Sequence, residues 1–329
     1  MPEQLIFAME VSLNGLMTGV MYALVALGFV LIYKASGIFN YAQGVMALFA
    51  AMTLVGIQEG RVPFSHLINA IFGTEVHHLP WHSVPALFAI LLTVAVMIFF
   101  AWAVQKVVFH HLVGQEPIIL FMATIGLAYF LEGVADLMWG SEIRTLDVGL
   151  PQGLNMVIDE TTYGWFGYGF FIDNLDIVAA IVAAVLVASL VAFAQYTKQG
   201  RAMRAVADDH QAALSVGISL NFVWILVWSL AGFVALVAGI MWGSKSGVQF
   251  SLSLIALKAL PVLMLGGFTS IPGAIVGGLI IGVGEALFEF LVGPMIGGAT
   301  ENWFAYVLAL LFLVFRPQGL FGEKIIERV

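Results

Sequence analysis

The stretch Ala86-Leu-Phe-Ala-Ile-Leu-Leu-Thr-Val-Ala-Val-Met-Ile-Phe-Phe-Ala-Trp-Ala-Val104 decides the fold class. It runs nineteen residues without a charge. As a helix rising ~1.5 Å per residue it reaches about 28 Å, close to the roughly 30 Å hydrocarbon core of a bilayer. A helix satisfies its own backbone N–H and C=O groups, which lipid cannot do for it. Comparable runs lie near 10–33, 36–57, 118–139, 176–196, 222–243, 272–292 and 302–316, and the quoted stretch sits in another at 85–109. A shorter run, 255–268, contains Pro261. At about 20 Å it is too short to span comfortably, and reads as a half-helix, a re-entrant segment or a broken crossing. The expectation is an all-α integral membrane protein, a polytopic helical bundle of about 8–9 transmembrane segments forming one domain over 1–329.

Composition agrees. Of 329 residues, 61% are apolar and 10% charged, against about 25% charged in soluble domains. That excludes a disordered chain, a nucleic-acid binder and an ordinary cytosolic enzyme. Net charge is −8, which argues against a polybasic lipid-binding surface. With no cysteine, disulfides, thiolate catalysis and Cys-based metal sites are ruled out. No Lys or Arg precedes Lys34, so the basic region of a signal peptide is missing and the first run is expected to stay in the membrane.

Basic residues set the orientation. Lys34, Lys106, Lys198, Arg201, Arg204, Arg316, Lys324 and Arg328 can all be cytoplasmic, leaving Arg61 and Arg144 outside and Lys245 and Lys258 at or within the membrane. Parity closes with the N-terminus outside and the C-terminus inside if 255–268 crosses. The loops 58–84 and 140–175 are then exterior. Their aromatics, among them Trp81, Trp165 and Tyr168, suit either interfacial anchoring or a docking surface.

Small residues let membrane helices approach closely. Gly15 and Gly19, Gly273 and Gly277, and Gly278 and Gly282 are each four apart. With Gly266 and Gly267 they mark a closely packed internal region. Glu132 and Asp136, and Glu285 and Glu289, share helix faces at i, i+4. A charge at mid-bilayer costs about 2.5–3.5 kcal/mol on insertion scales, so Lys258 is expected to pair with Glu285 or with Glu289, or these groups to line a polar path. Asp136 and Glu289 lie near helix ends and can reach interfacial water. Asn14, Asn40 and Gln43 are uncharged hydrogen-bonding groups that can bind a solute, line a pore or bridge helices.

The segment 197–221 is too polar to span. Its Ala-rich part, 201–218, favours a short helix on the cytoplasmic face with a stop at Gly217. It suits either contact with a soluble partner or a simple interfacial helix. No phosphate-binding loop, H-E-x-x-H, G-x-S-x-G or dinucleotide fingerprint occurs, and His77, His78 and His82 lack supporting ligands. Neither catalysis nor a bound cofactor or metal is expected. A self-contained secondary transporter with broken helices is the alternative.

Several stretches together resemble the permease subunit of branched-chain amino-acid ABC importers. They are Asn14-Gly-Leu16 with Tyr22–Gly28, Gly37–Gly44, Gly200–Ile218, Lys258–Ala274 on to Gly284-Glu285-Ala286, and Arg316-Pro317-Gln-Gly-Leu320. Gln211-Ala212-Ala213-x-x-x-Gly217 has the E-A-A-x-x-x-G spacing of ABC permeases, with Gln for Glu. Gln43 and Val45 stand where the family usually has His and Glu, and the loop 66–84 is long for it. The resemblance implies import of branched-chain or related small amino acids through the bacterial inner membrane. It implies a homologous permease partner (a heterodimer), two cytoplasmic ATPases that use ATP and Mg, and an extracytoplasmic solute-binding protein. It implies that Arg201, Arg204, Asp208, Asp209, Gln211, Ala212, Ala213 and Gly217 couple to the ATPases. Asn14, Asn40, Gln43, Glu132, Lys258 and Glu285 would belong to the path or to intramembrane polar contacts.

Overall fold

A computed structural model describes residues 3–73, 84–112 and 114–322. His77, His78, His82, Trp81, Lys324 and Arg328 lie outside the described residues.

Among the described residues the regular elements are all helices, apart from two isolated β-bridges. In chain order the α-helices are α1 (Glu3–Ser36), α2 (Gln43–Gln58), α3 (Ser65–Phe72), α4 (Ala86–Val107) and α5 (Pro117–Trp139). Then come α6 (Met156–Phe166), α7 (Asn174–Tyr196), α8 (Lys198–Asp208), α9 (His210–Ser215) and α10 (Leu220–Ser246). The last three are α11 (Ile255–Gly266), α12 (Ile271–Ile296) and α13 (Phe304–Phe315). Six segments are long and apolar enough to cross a membrane, those of α1, α4, α5, α7, α10 and α12. Three shorter apolar helices, Gln43–Gln58, Phe250–Gly266 and Phe304–Phe315, occupy the other apolar runs. The chain is an all-α polytopic membrane protein.

Backbone packing groups the chain into two compact units. The first comprises Met1–Val30, Leu150–Ala188 and Leu257–Val329, and the second Leu31–Gly149 and Ser189–Ala256.

In the first unit, α1 lies against α12 through glycine. A Cβ on Gly15 would fall 2.7 Å from the Gly282 carbonyl oxygen, and one on Gly278 would fall 2.5 Å from that of Gly19. The two glycine pairs thus face each other as matching small-residue stripes. Helices α11 and α12 close on one another the same way. A Cβ on Gly277 would sit 2.5 Å from the Val262 carbonyl, and Gly266 and Gly273 abut backbone to backbone. Between these helices Gly267 turns the chain at φ +102, a conformation open to glycine.

Pro261 lies inside α11, which runs through it as a helix of only 12 residues, the half-helix among the alternatives read from the sequence. A proline at 261 cannot donate to the carbonyl of Leu257. The Tyr306 hydroxyl, on α13, donates to that oxygen instead at 2.7 Å. The vacancy left by the ring is therefore filled from a neighbouring helix, and the helix survives.

In the second unit α2 is enclosed by α10, α4 and α5, and every residue from Gln43 to Gly56 is buried. Gly239 admits the backbone of α2, since a Cβ there would lie 2.5 Å from the Ala47 carbonyl. Gly56 makes room for the Trp139 ring, whose Nε1 donates to Thr53 Oγ1 at 3.2 Å. Phe109 and Trp228 stack with centroids 4.9 Å apart. By contrast α4 and α5 expose large apolar side chains such as Phe99 and Phe130, as helices facing lipid do; in the first unit α7 does the same at Val185.

The segment expected as one helix over 201–218 is two. Helix α8 ends at Asp208 and α9 begins at His210, with Asp209 extended between them at φ −158. Asp209 forces the break because its carboxylate caps the second helix.

Candidate functional site

Lys258, Glu285 and Tyr22 form a cluster at membrane depth in the first unit. Glu285 sits fourteen residues into α12 and is 4% exposed. Lys258 Nζ donates to Glu285 Oε1 at 3.2 Å, and the Tyr22 hydroxyl donates to Oε2 at 3.2 Å. Lys258 Nζ also donates to the Glu301 carbonyl. Both carboxylate oxygens are thus occupied and the lysine has two acceptors, the arrangement a charge needs once taken out of water. One turn on, Glu289 accepts from the Thr300 backbone N–H at 2.7 Å and from the Thr300 hydroxyl. It holds a short turn rather than joining the cluster. A cavity of about 390 Å³ adjoins these groups, lined by Asn14, Thr18, Tyr22, Glu285, Glu289 and Phe290 among others.

Asn14 does not contact the cluster directly. Its Nδ2 donates to the Phe171 carbonyl at 3.3 Å, while the Phe171 N–H donates to Glu10 Oε1 at 3.1 Å. The backbone of one residue of the 140–175 loop, Phe171, is thereby clamped on both sides by two residues four apart on α1. The apolar contacts of Ile6 with Phe170 and Ile172 lie beside it.

Asn40 and Gln43 are fully buried in the second unit. Asn40 Nδ2 donates to Gln43 Oε1 at 3.2 Å, its Oδ1 accepts from the Ala42 N–H, and Gln43 Nε2 donates to the Ala231 carbonyl at 3.4 Å. These contacts tie the start of α2 to α10. Glu132 is half-buried on α5, and the structure brings none of the other predicted residues to it.

The 197–221 segment presents a two-helix surface. Thr197 caps α8 by accepting from the Gly200 N–H, and Asp209 caps α9 by accepting from the Gln211 and Ala212 N–H groups. The Ala212 and Gln211 N–H groups hold the Asp209 carboxyl below the usual aspartate range. Met203, Val206 and Ala213 are buried, and both helices pack on α10. Arg201, Arg204, Asp208, Gln211 and Ala212 are exposed, joined by Leu214 and Val216 at 53% and 74% exposure. Gly217 ends α9 at φ +83. Of the predicted residues only Ala213 is buried inside the segment; Asp209 caps α9 while remaining exposed, and the others face outward.

A family model for the permease component of branched-chain amino acid transport systems matches residues 11–316. The chain belongs to this family. This permease chain is 28% identical over 342 residues to the high-affinity branched-chain amino acid transport system permease protein LivH of Escherichia coli (strain K12), covering 100% of each. To the corresponding BraD of Pseudomonas aeruginosa it is 29% identical over 333 residues, again covering 100% of each. A probable LivH permease of Methanocaldococcus jannaschii matches at 26% over 91% of this chain and 88% of its own length. Among solved structures, PsaBC from Streptococcus pneumoniae in complex with Fab gives a TM-score of 0.41 at 12% identity, over 92% of this chain and 89% of that one. That likeness is too loose to argue from. The permease is thus the membrane subunit of an ABC importer, a class that works with ATPase and solute-binding partners, and a multi-pass inner-membrane protein.

Sequence reasoning missed four residues of the permease. Tyr22 was hidden in an apolar run, where its hydroxyl carried no pattern. Glu10 lay in the first run as a lone acid, and Thr300 in a glycine-rich turn. Arg144 carries no sequence signal beyond a charge in an exterior loop. It is 6% exposed, donates through Nη2 to the Trp139 carbonyl at the end of α5, and leaves Nε and Nη1 without partners among the described residues. Burial, then the neighbouring Arg61 charge, push its guanidinium pKa down.

Proposed function

We propose that this permease carries branched-chain or related small amino acids inward across the bacterial inner membrane. It does so as a single permease domain paired with a homologous permease, two ATP-binding subunits and an extracytoplasmic binding protein. The chain itself binds no cofactor; ATP and Mg act in the ATPases. The observation that carries this reading is the exposed surface of α8 and α9, whose polar residues flank an uncovered Leu214 and Val216. Uncovered apolar residues rimmed by charge suit a protein partner. On this reading the segment and the C-terminus face the cytoplasm, in keeping with the basic residues around them.

ATP-driven closure of the ATPases displaces α8 and α9. Because Met203, Val206 and Ala213 seat these helices against α10, the displacement reaches a membrane helix directly. Arg201, Arg204 and Asp208 supply the polar contacts to the ATPase. Gly217 fixes where the segment turns into α10, and a residue with a Cβ there opposes the left-handed backbone by about 1–2 kcal/mol.

The test is reconstitution in proteoliposomes with all partners. Uptake that requires ATP and the binding protein is expected, and Gly217→Val is expected to hydrolyse ATP with little uptake. Accumulation by the chain alone from an ion gradient, or fully coupled transport in Gly217→Val, overturns the reading.

A further inference from the structure

We infer that the Lys258–Glu285 ion pair, with the cavity beside it, is a binding site for a zwitterion, entered by opening the pair. This rests on the amino-acid permease reading and adds the residues and the charge type that the membrane subunit itself recognises.

The argument begins with position. Counted from either end of α12, Glu285 lies about 17–21 Å along the helix axis, well inside the bilayer. An ionisable residue at that depth marks function more often than stability, and a buried ion pair is weak evidence for stability. What distinguishes this pair is that each partner has a second hydrogen bond. Glu285 Oε2 keeps the Tyr22 hydroxyl, and Lys258 Nζ keeps the Glu301 carbonyl. Parting the two charges therefore leaves each with one neutral hydrogen bond but no counter-charge.

A zwitterion supplies what each partner loses. Its ammonium takes the place of Lys258 on Glu285, and its carboxylate takes the place of Glu285 on Lys258. One ion pair becomes two with no change in net charge. An amine or a carboxylic acid of the same shape satisfies one partner and strands the other, and burying a stranded charge is strongly unfavourable. A neutral amide satisfies neither charge in full.

Space is available where the pair opens. The cavity of about 390 Å³ falls within the roughly 300–1,000 Å³ of small-molecule sites. Asn14 and Thr18 offer polar contacts in it, Glu289 and Glu301 add acidic groups that favour an ammonium, and Val11 and Phe290 offer an apolar wall for an aliphatic side chain; Lys258 does not line the cavity and meets the ligand carboxylate only once its pair with Glu285 opens.

The absence of cysteine makes a clean test. Thr18→Cys places a single thiol in the cavity wall. The full-length chain, assembled with its partner permease and ATPases in nanodiscs and without binding protein or nucleotide, is labelled with a maleimide. The probes are L-leucine, isoamylamine, 4-methylpentanoate and 4-methylpentanamide. A ligand at ten times its Kd leaves about one site in ten free, so saturating leucine should slow labelling about tenfold. The other three at the same concentration should slow it less than about twofold.

Leucine protection should vanish when Lys258→Met and Glu285→Gln are combined with the reporter. Protection by the amine or the acid alone as strong as by leucine overturns the inference. So do undiminished protection in the charge-free variant and a thiol that no maleimide reaches. If the charge-free variant does not assemble, the four probes on the reporter alone still decide the matter. ATP-driven uptake without leucine protection removes this site and leaves the permease reading standing; absence of ATP-driven uptake removes that reading.

Discussion

Gly278→Ala tests how the first unit is held together. A methyl at this position would meet the Gly19 carbonyl oxygen at 2.5 Å and the Ala23 Cβ at 2.9 Å. Ordinary contact starts near 3.4 Å, so α1 and α12 must part by about 1 Å, forfeiting dispersion along both glycine stripes. Overpacking of this kind costs about 1–3 kcal/mol, offset by less than ~1 kcal/mol of helix propensity gained on replacing glycine. The net expectation is a loss of about 1–2 kcal/mol, or roughly 2–4 °C of melting temperature per kcal/mol for a chain of this order of size. The measurement is thermal unfolding of the purified chain in one detergent, beside Gly126→Ala and Gly133→Ala. Those two glycines lie on α5 with nothing within 4 Å of an added Cβ among the described residues. They should leave stability unchanged or slightly raised. Ala23→Gly should not rescue Gly278→Ala, because the tighter clash is with backbone that no side-chain change removes. A Gly278→Ala variant as stable as the parent, or a Gly126→Ala variant as damaged, would refute the reasoning.

Other perturbations probe separate parts. Tyr306→Phe leaves the Leu257 carbonyl unmet and should cost about 1–2 kcal/mol. Pro261→Ala restores the intrahelical donor, so a double-mutant cycle should show the two positions coupled, and additive effects would count against the substitution of one donor for another. The Asp209 carboxyl is held below its usual range by backbone donors. Its contribution to α9 is therefore present above the unfolded-state pKa near ~3.9 and is lost as pH falls through the lower folded value. Amide exchange in 210–215 should quicken across that acid window, and Asp209→Asn, which caps without titrating, should flatten the dependence. Gly56→Leu should expel Trp139 from its seat and shift the near-ultraviolet circular dichroism of the tryptophans; an unchanged spectrum would contradict the packing described.

The long membrane helices were legible because lipid imposes a length and forbids charge. Residues 86–104 could scarcely read otherwise. The glycine stripes were legible as spacing, though which stripe faces which is a matter of tertiary packing. Lys258 was legible as a partner of the 285/289 acids because charges in apolar runs seek each other; that Glu285 takes the lysine while Glu289 caps the Thr300 turn is a matter of tertiary packing. Tyr22 was not, since one hydroxyl among apolar residues leaves no period to read. The continuity of α11 through Pro261 was hidden for a similar reason, because the donor that permits it comes from Tyr306, far along the chain. The break at Asp209 was within reach: an Asp followed by a short Ala-rich run is a capping signal, but the helix propensity of the surrounding alanines outweighed it.

Helix α2 reaches only about 24 Å, less than the oily thickness of a membrane. Because its neighbours in the protein wall it in, it has no obligation to match the acyl chains. Varying lipid chain length should therefore strain α4 and α5, which expose apolar side chains, while leaving the polar start of α2 undisturbed. Whatever Asn40 and Gln43 do, they do it insulated from the host membrane's composition.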